Sequence, residues 1–344
     1  MAKTGGKTTI HDIARALGLN ASTVSRALAG NPVVSKKTRD LVSAKAAEMK
    51  YRPNHMAAAL RRGRSDILGV IVPAIDRAFF GSVIRGIEEQ AEANGFHIIV
   101  CQSFDSFERE RSMVETLRRI QVDGIMLSTA KDARTNVTFY KDLLASGFPI
   151  HFFDHLPNGL NAPAVLLNDE KAAYDATVHL ISSGYRRIAH LRGPQHFHIY
   201  RDRYLGYQRA MKEAGLVVDD HRVVDIVSHF DSGADVFHQL WNLPVKPDAV
   251  FSASDYSAAA CLNAARELGL SIPGDVAFLG FANEPFTEII SPKLSSVDQQ
   301  TTEMGRRCAA RLIDVLNNKV AVKMADLRVV LEGKVMVRES SVVL

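Results

Sequence analysis

Two sets of residues in this chain have types and spacing suited to recognition chemistry. The first lies in residues 9–28, TIHDIARALGLNASTVSRAL. Inward positions Val24 and Leu28 leave Ala21, Ser22, Ser25 and Arg26 facing away from a small core. Short side chains at the start of an exposed helix, with one arginine a turn later, are what a helix entering a DNA major groove needs. Ala21 can touch a thymine methyl and Ser22 can reach a base or a phosphate, but only Arg26 can make a two-pronged contact, with guanine its best partner. Thr9 and Ser25, together with Lys36, Lys37 and Arg39, read as backbone contacts or solvated charges. An ordinary helical hairpin of a globular domain would carry the same apolar spacing. The second set sits where strands end: Phe79 and Phe80, Ser128, Asp154, Ser254 and Asp255, with Arg203 opening a helix and Phe230 following a strand. Aromatic walls stack on a sugar or purine face, and a guanidinium fork holds two hydroxyls, a carboxylate or a phosphate. Core packing is the competing reading for each phenylalanine, and a lobe-bridging salt bridge the competing one for Arg203.

The elements that position these groups follow from periodicity. Thr9 with Asp12 makes a capping-box-like start, Ile13, Ala14 and Leu17 share a face, Gly18 breaks the helix, and Asn20 can cap the next. Gly30-Asn31-Pro32 is a turn. Ser35 can cap a third helix to about Met49, with Leu41, Val42 and Ala46 inward. From residue 67 buried-strand runs alternate with amphipathic helices: strands at 67–73, 97–103, 123–129, 149–154, 187–193, 222–227, 248–254 and 276–281. Such alternation makes doubly wound parallel sheets, and there are too many units for one sheet, so two lobes are expected. Ligands of such sheets lie outside the carboxyl ends of the strands.

Charge separates the same parts. The formal net charge is +4, yet residues 1–66 hold 13 Lys and Arg against 4 Asp and Glu, leaving 29 against 34 for residues 67–344. A basic head on a slightly acidic body points to an anionic polymer as partner of the head alone. Cys101, Cys261 and Cys308 lie far apart, without metal-ligand or redox spacing, and read as reduced thiols of a cytoplasmic protein. No apolar run has the length or flanks of a signal peptide or membrane span.

Residues 8–72 resemble the DNA-binding head and hinge of the lactose repressor and galactose repressor family of bacterial transcription regulators, and the likeness continues almost to the C-terminus. The resemblance implies an all-α helix-turn-helix head over residues 1–52 and a hinge helix and linker over 53–66. It further implies an α/β body like periplasmic sugar-binding proteins, with an N-lobe at 67–166 plus 294–320 and a C-lobe at 167–293 plus 321–344. It assigns DNA contacts to Thr9, Ala21, Ser22, Thr23, Ser25, Arg26 and Asn54, and makes Leu60 a wedge in the minor groove at the operator centre. Phe79, Phe80, Arg203 and Phe230 match positions that touch effectors in the family. The chain departs from the family at Gly280-Phe281-Ala282-Asn283, where relatives often carry an acid at the place of Ala282, and at Ser254, where asparagine is usual. Without that acid a plain sugar is accepted less readily, and Asn283, Glu284 or a water is left to substitute.

Enzyme readings find little footing. His196-x-His198 has no third ligand at recognisable spacing, no Gly-x-Ser-x-Gly elbow occurs, and no Gly-x-Gly-x-x-Gly follows a strand. The expectation is therefore a non-enzymatic, cofactor-free regulator, most simply a repressor of a carbohydrate or related catabolic operon. It would bind a pseudo-palindromic double-stranded operator as a homodimer, respond to a small-molecule effector, and make no use of a membrane. A small-molecule binding protein or sugar-processing enzyme with an incidental basic head is the alternative. The C-terminal VMVRESSVVL holds no leucine heptads that would add a coiled-coil tetramer. If Arg26 supplies the base discrimination, Arg26→Ala should narrow the gap between operator and random DNA by roughly 1–3 kcal/mol, read by competition gel-shift.

Overall fold

The computed structural model describes residues 8–51, 64–130, 136–226, 233–317 and 328–342. The chain divides into two units, residues 1–65 and 66–344. Asn54, Leu60 and Phe230 lie outside the described residues.

The head holds helices α1 (Ile10–Leu17), α2 (Ala21–Leu28) and α3 (Lys36–Glu48). Its first turn is fixed reciprocally: the Thr9 hydroxyl accepts from Asp12 N, while the Asp12 carboxylate accepts from Thr9 N at 3.0 Å and from the Thr9 hydroxyl at 2.7 Å. Gly18 ends α1 at φ 63°, a left-handed conformation that a side chain would strain. Asn20 stands at the start of α2 but its side chain makes no capping bond. Ile13, Ala14, Val24, Ala27, Val34, Val42 and Ala46 close the core. Leu41, expected inward, is 52% exposed. One residue from Val42 is about 100° around a helix, so Leu41 falls on the flank of the face that carries Val42 and Ala46. Arg39 is not simply solvated, because its Nη1 donates to Gly30 O and Asn31 O at 3.3 and 3.4 Å and so ties the α2–α3 turn.

The body begins with β1 (Ile67–Val72), α4 (Ala78–Glu92), β2 (His97–Gln102), α5 (Phe107–Arg119), β3 (Gly124–Leu127), α6 (Val137–Ala145), β4 (Ile150–Phe153) and β5 (Ala164–Leu167). The second lobe holds α7 (Asp169–Ser182), β6 (Ile188–Arg192), α8 (His198–Glu213), β7 (Val223–Asp225), α9 (Gly233–Trp241), β8 (Ala249–Ser252), α10 (Asp255–Glu267), β9 (Ala277–Ala282) and β10 (Ser295–Asp298). The chain then returns through α11 (Thr301–Leu316), β11 (Arg328–Leu331) and β12 (Lys334–Met336). The first sheet has the order β11-β5-β4-β3-β1-β2, all parallel. The second has the order β12-β10-β9-β8-β6-β7, parallel except for the β10–β12 pair. Within each, the chain leaves the first strand in one direction and then reverses, between β1 and β3 and between β6 and β8. Every residue of β3, β4 and β8 is buried, as parallel strands covered on both faces require.

Two expected boundaries shift. Ser295–Asp298, assigned to the N-lobe by a break at 294, pairs with β9 in the second sheet. Arg328–Leu331, assigned to the C-lobe, pairs with β5 in the first. Short strands such as SSVD carry too few apolar residues to declare a sheet, and only their pairing does so. The chain thus crosses between lobes near residues 168, 299 and 332, and the crossings are laced together. Asn168 N donates to Leu331 O at 2.8 Å, Asn168 Nδ2 to Glu332 Oε1 at 3.1 Å, and Gln300 Nε2 to Glu332 O.

Each lobe clamps a helix pair by glycine. A Cβ at Gly86 of α4 would run into Thr302 O of α11, one at Gly305 into Val83 O, and one at Gly206 of α8 into Glu170 O of α7. These backbones approach closely because no side chain intervenes. Gly305→Ala should cost about 1–3 kcal/mol of stability by overpacking, measured by urea unfolding.

Candidate functional site

The carboxyl ends of both sheets face one cleft. From the first lobe it is lined by Pro73, Arg77, Phe79 and Phe80 after β1, Asp105 after β2, Ser128 and Thr129 after β3, and Asp154 and His155 after β4. From the second come Phe197, Ile199, Tyr200 and Arg203 after β6, residues 253–256 after β8, Phe281, Ala282 and Glu284 at the end of β9, and Gln299 at a crossing. Both points of strand-order reversal therefore open onto the same space, which spans about 900 Å3 with its mouth. Of the expected residues, Phe79, Phe80, Ser128, Asp154, Arg203, Ser254 and Asp255 line it. Phe80 is also core, 5% exposed, while half-buried Phe79 meets it edge-on at 5.0 Å. Asn283 does not line the cleft. Its Oδ1 accepts from Arg338 Nη2 at 2.7 Å, and its neighbours Ala282 and Glu284 face the space instead.

Arg203 is buried and multiply bound. Nε donates to Asp169 Oδ1 at 2.7 Å, Nη1 to Ala253 O at 2.9 Å, and Nη2 to Gln299 Oε1 at 3.3 Å. Its guanidinium lies 3.7 Å from the centre of the Phe281 ring. The salt bridge considered from sequence exists, but it stays within the second lobe instead of spanning the cleft. Among the described residues these bonds use three of the five guanidinium N–H groups. Ser128 Oγ donates to Asp154 Oδ2 at 3.2 Å. Across the cleft, the ring of His155 stacks on His198 at 5.2 Å, and Thr129 Oγ1 holds His155 Nδ1 at 2.7 Å. Burial first, then Arg201 and Arg203, push His198 down to about 4, so it stays neutral near pH 7.

Asp255 is fully buried at the start of α10. Its Oδ1 accepts from Ser296 Oγ at 2.6 Å and its Oδ2 from Glu284 N at 2.8 Å. Burial nevertheless pushes its carboxyl up to about 7. Gly280 makes the fit possible, since a Cβ there would strike Asp255.

On the head, Ser22 and Arg26 are exposed and Ala21, Thr23 and Ser25 half-exposed, beside the buried Val24 and Ala27. Ser22 and Arg26 thus present an outward face of α2, with Ala21 packed at its edge against the core. Thr9 is exposed too, with its hydroxyl engaged in the α1 cap. Among the described residues no helix is long and apolar enough to cross a membrane.

Comparison with known proteins decides the family. Residues 9–54 match the bacterial regulatory proteins of the lacI family, and residues 177–341 match a periplasmic binding protein-like domain. Catabolite control protein A of Priestia megaterium is 32% identical over 315 residues, 91% of this chain and 94% of that protein. The HTH-type transcriptional regulator DegA of Bacillus subtilis (strain 168) is 30% identical over 335 residues, 97% and 98% of the two chains. This chain belongs to the lacI family. Among solved structures, the transcriptional regulator CelR in complex with cellobiose is 28% identical, with 97% of this chain and 100% of that one covered and a TM-score of 0.71. The lac repressor dimer bound to operator and the anti-inducer ONPF shares the fold at a TM-score of 0.85, with 21% identity and 98% and 100% of the chains covered.

As a lacI-family transcriptional regulator, the chain pairs a helix-turn-helix DNA-binding head with a two-lobed body. Sequence reasoning had not marked Arg77, Tyr200, Tyr256 or Gln299 as cleft residues. Arg77 and Tyr256 lie within three residues of marked strand-end positions, so listing whole strand-end loops would have reached them. Gln299 carried no such signal, because β10 was not recognised as a strand.

Asp255 gives a pH test. Its ordinary value is 3.8 and its folded value about 7, so the folded chain holds an extra proton in between. The group's stabilising share is complete below about pH 4 and disappears as pH climbs past 7. In Asp255→Asn the amide can donate to Ser296 Oγ and accept from Glu284 N, mimicking the protonated acid. Urea unfolding across this window should then show a flatter pH dependence than the parent chain.

Proposed function

We propose that this regulator is a dimeric repressor of a carbohydrate or related catabolic operon. Two heads read a pseudo-palindromic operator, and a small molecule in the interlobe cleft sets its affinity. The cleft carries the reading: both strand-reversal points open onto one space lined by aromatic rings and the Arg203 guanidinium. On the head, exposed Arg26 is the base-reading residue, Ala21, Ser22 and Thr23 tune the neighbouring bases, and Thr9 and Ser25 contact the backbone. Asn54 and Leu60, outside the described residues, are assigned DNA contacts by the family resemblance alone. Phe79, Phe80, Ser128, Asp154, Arg203, Ser254, Asp255 and Phe230 form the effector set.

Dimerisation is supported by operator symmetry, which needs two heads, and by β2. That edge strand leaves Val100 39% exposed, and Phe104 beyond it is 60% exposed. A second copy of the same chain is the covering that two-fold symmetry provides. For the switch, an effector must prefer one lobe arrangement, since equal affinity for both would move nothing.

Selection from a randomised duplex pool by the full chain should enrich a two-fold symmetric site, and sedimentation should give a dimer. A panel of sugars, sugar acids, sugar phosphates and nucleosides should contain a compound that changes operator affinity by roughly 5–150-fold. Phe79→Ala should keep operator binding and lose that response. A monomer that enriches no symmetric site would overturn the reading.

A further inference from the structure

The cleft lining carries more acidic than basic side chains. Asp105, Asp154, Asp255 and Glu284 line it, against Arg77 and Arg203. The charge of Arg203 is already answered by Asp169, which lies outside the lining. Glu284 is the telling member. It is 6% exposed, it lines the cleft, and its Oε2 has no hydrogen-bond partner among the described residues. A carboxylate oxygen held away from water without a donor costs free energy until a ligand supplies one.

We infer that the effector carries a basic nitrogen on a polyol frame, an amino sugar or a molecule of that size, and that Glu284 with Asp255 receives its ammonium group. This rests on the reading of the cleft as the effector site and adds the chemical class. Glu284 N donates to Asp255 Oδ2, and the Glu284 charge adds to the rise of the Asp255 carboxyl, so the two acids lie at one corner. Burial raises both carboxyls, Asp255 to about 7, against the opposing pull of Arg77 on Glu284 and of Arg338 on Asp255. An anionic ligand would add to the excess of negative charge, and a neutral one would leave it in place. An ammonium offsets it, donates up to three hydrogen bonds, and can lie against the ring of Tyr256. Arg203 remains for the hydroxyls of the frame.

The test uses the full chain and matched probes at neutral pH: glucosamine, galactosamine and mannosamine, each beside its parent sugar and its N-acetyl form. Calorimetry and thermal shift should show at least one amine binding, with parent and N-acetyl forms weaker by about tenfold or more. Glu284→Gln should weaken the amine by a similar factor while the unliganded protein melts no lower. Asp255→Asn, isosteric with the protonated acid, should weaken it as well. Equal binding of amine and parent, an unchanged amine affinity in Glu284→Gln, or no amine binding at all would overturn the inference. If a neutral sugar binds and Phe79→Ala abolishes it while Glu284→Gln does not, the cleft stands as the effector site and only the amine assignment fails. If whatever binds ignores both substitutions, the reading of the cleft fails too.

Discussion

A single buried guanidinium ties together two of the segments at which the chain passes between the lobes. Arg203 reaches Asp169 just past the first lobe crossing, Gln299 at the second, and the carbonyl of Ala253 at the exit of β8. A buried charge with a partner removed is strongly penalised, so these segments are held in register by the cost of letting go. The third crossing joins them through Asn168, Gln300 and Glu332. Arg203 also lines the cleft, so the group that fixes the crossings is part of its wall.

The corner opposite Arg203 shows how a departure from the family pattern is accommodated. Ala282 sits at φ 132° and Asn283 at φ 53°, conformations that residues with a Cβ seldom adopt. They are held by Ser296, whose Oγ accepts from Asn283 N at 2.9 Å, and by Arg338 on the Asn283 side chain. The same Ser296 hydroxyl donates to Asp255. The turn that carries Ala282 and Glu284 into the cleft is thus fixed by residues from β10 and the C-terminal segment, far away in sequence.

Much of the site could be read from position along the chain. In a parallel sheet every strand delivers its next residues to the same edge, so Phe79, Ser128, Asp154 and Ser254 could be placed in one cleft without knowing their partners. Asn283 met the same criterion and failed it, because Arg338, some fifty residues on, claims its side chain. Leu41 failed for a local version of that reason, lying on the edge of a helical face whose width depends on what packs against it. Ser295–Asp298 was assigned to the wrong lobe because a strand of two serines, a valine and an aspartate is declared only by its neighbours.

Helix caps, turn glycines, the alternation of strand and helix, and the concentration of positive charge in the first sixty-six residues are local properties, and the sequence alone determined them. Periodicity and capping act over a few residues, and charge is additive, so none of them waits on the fold. The tertiary structure alone decided where the chain crosses between lobes, that Arg203 is spent largely on Asp169, Ala253 and Gln299, and that Glu284 takes the place in the cleft that Asn283 does not. Each of these depends on burial and on hydrogen-bond partners tens to more than a hundred residues apart, where the free energy of a polar group is set by what the fold brings within about 3 Å of it.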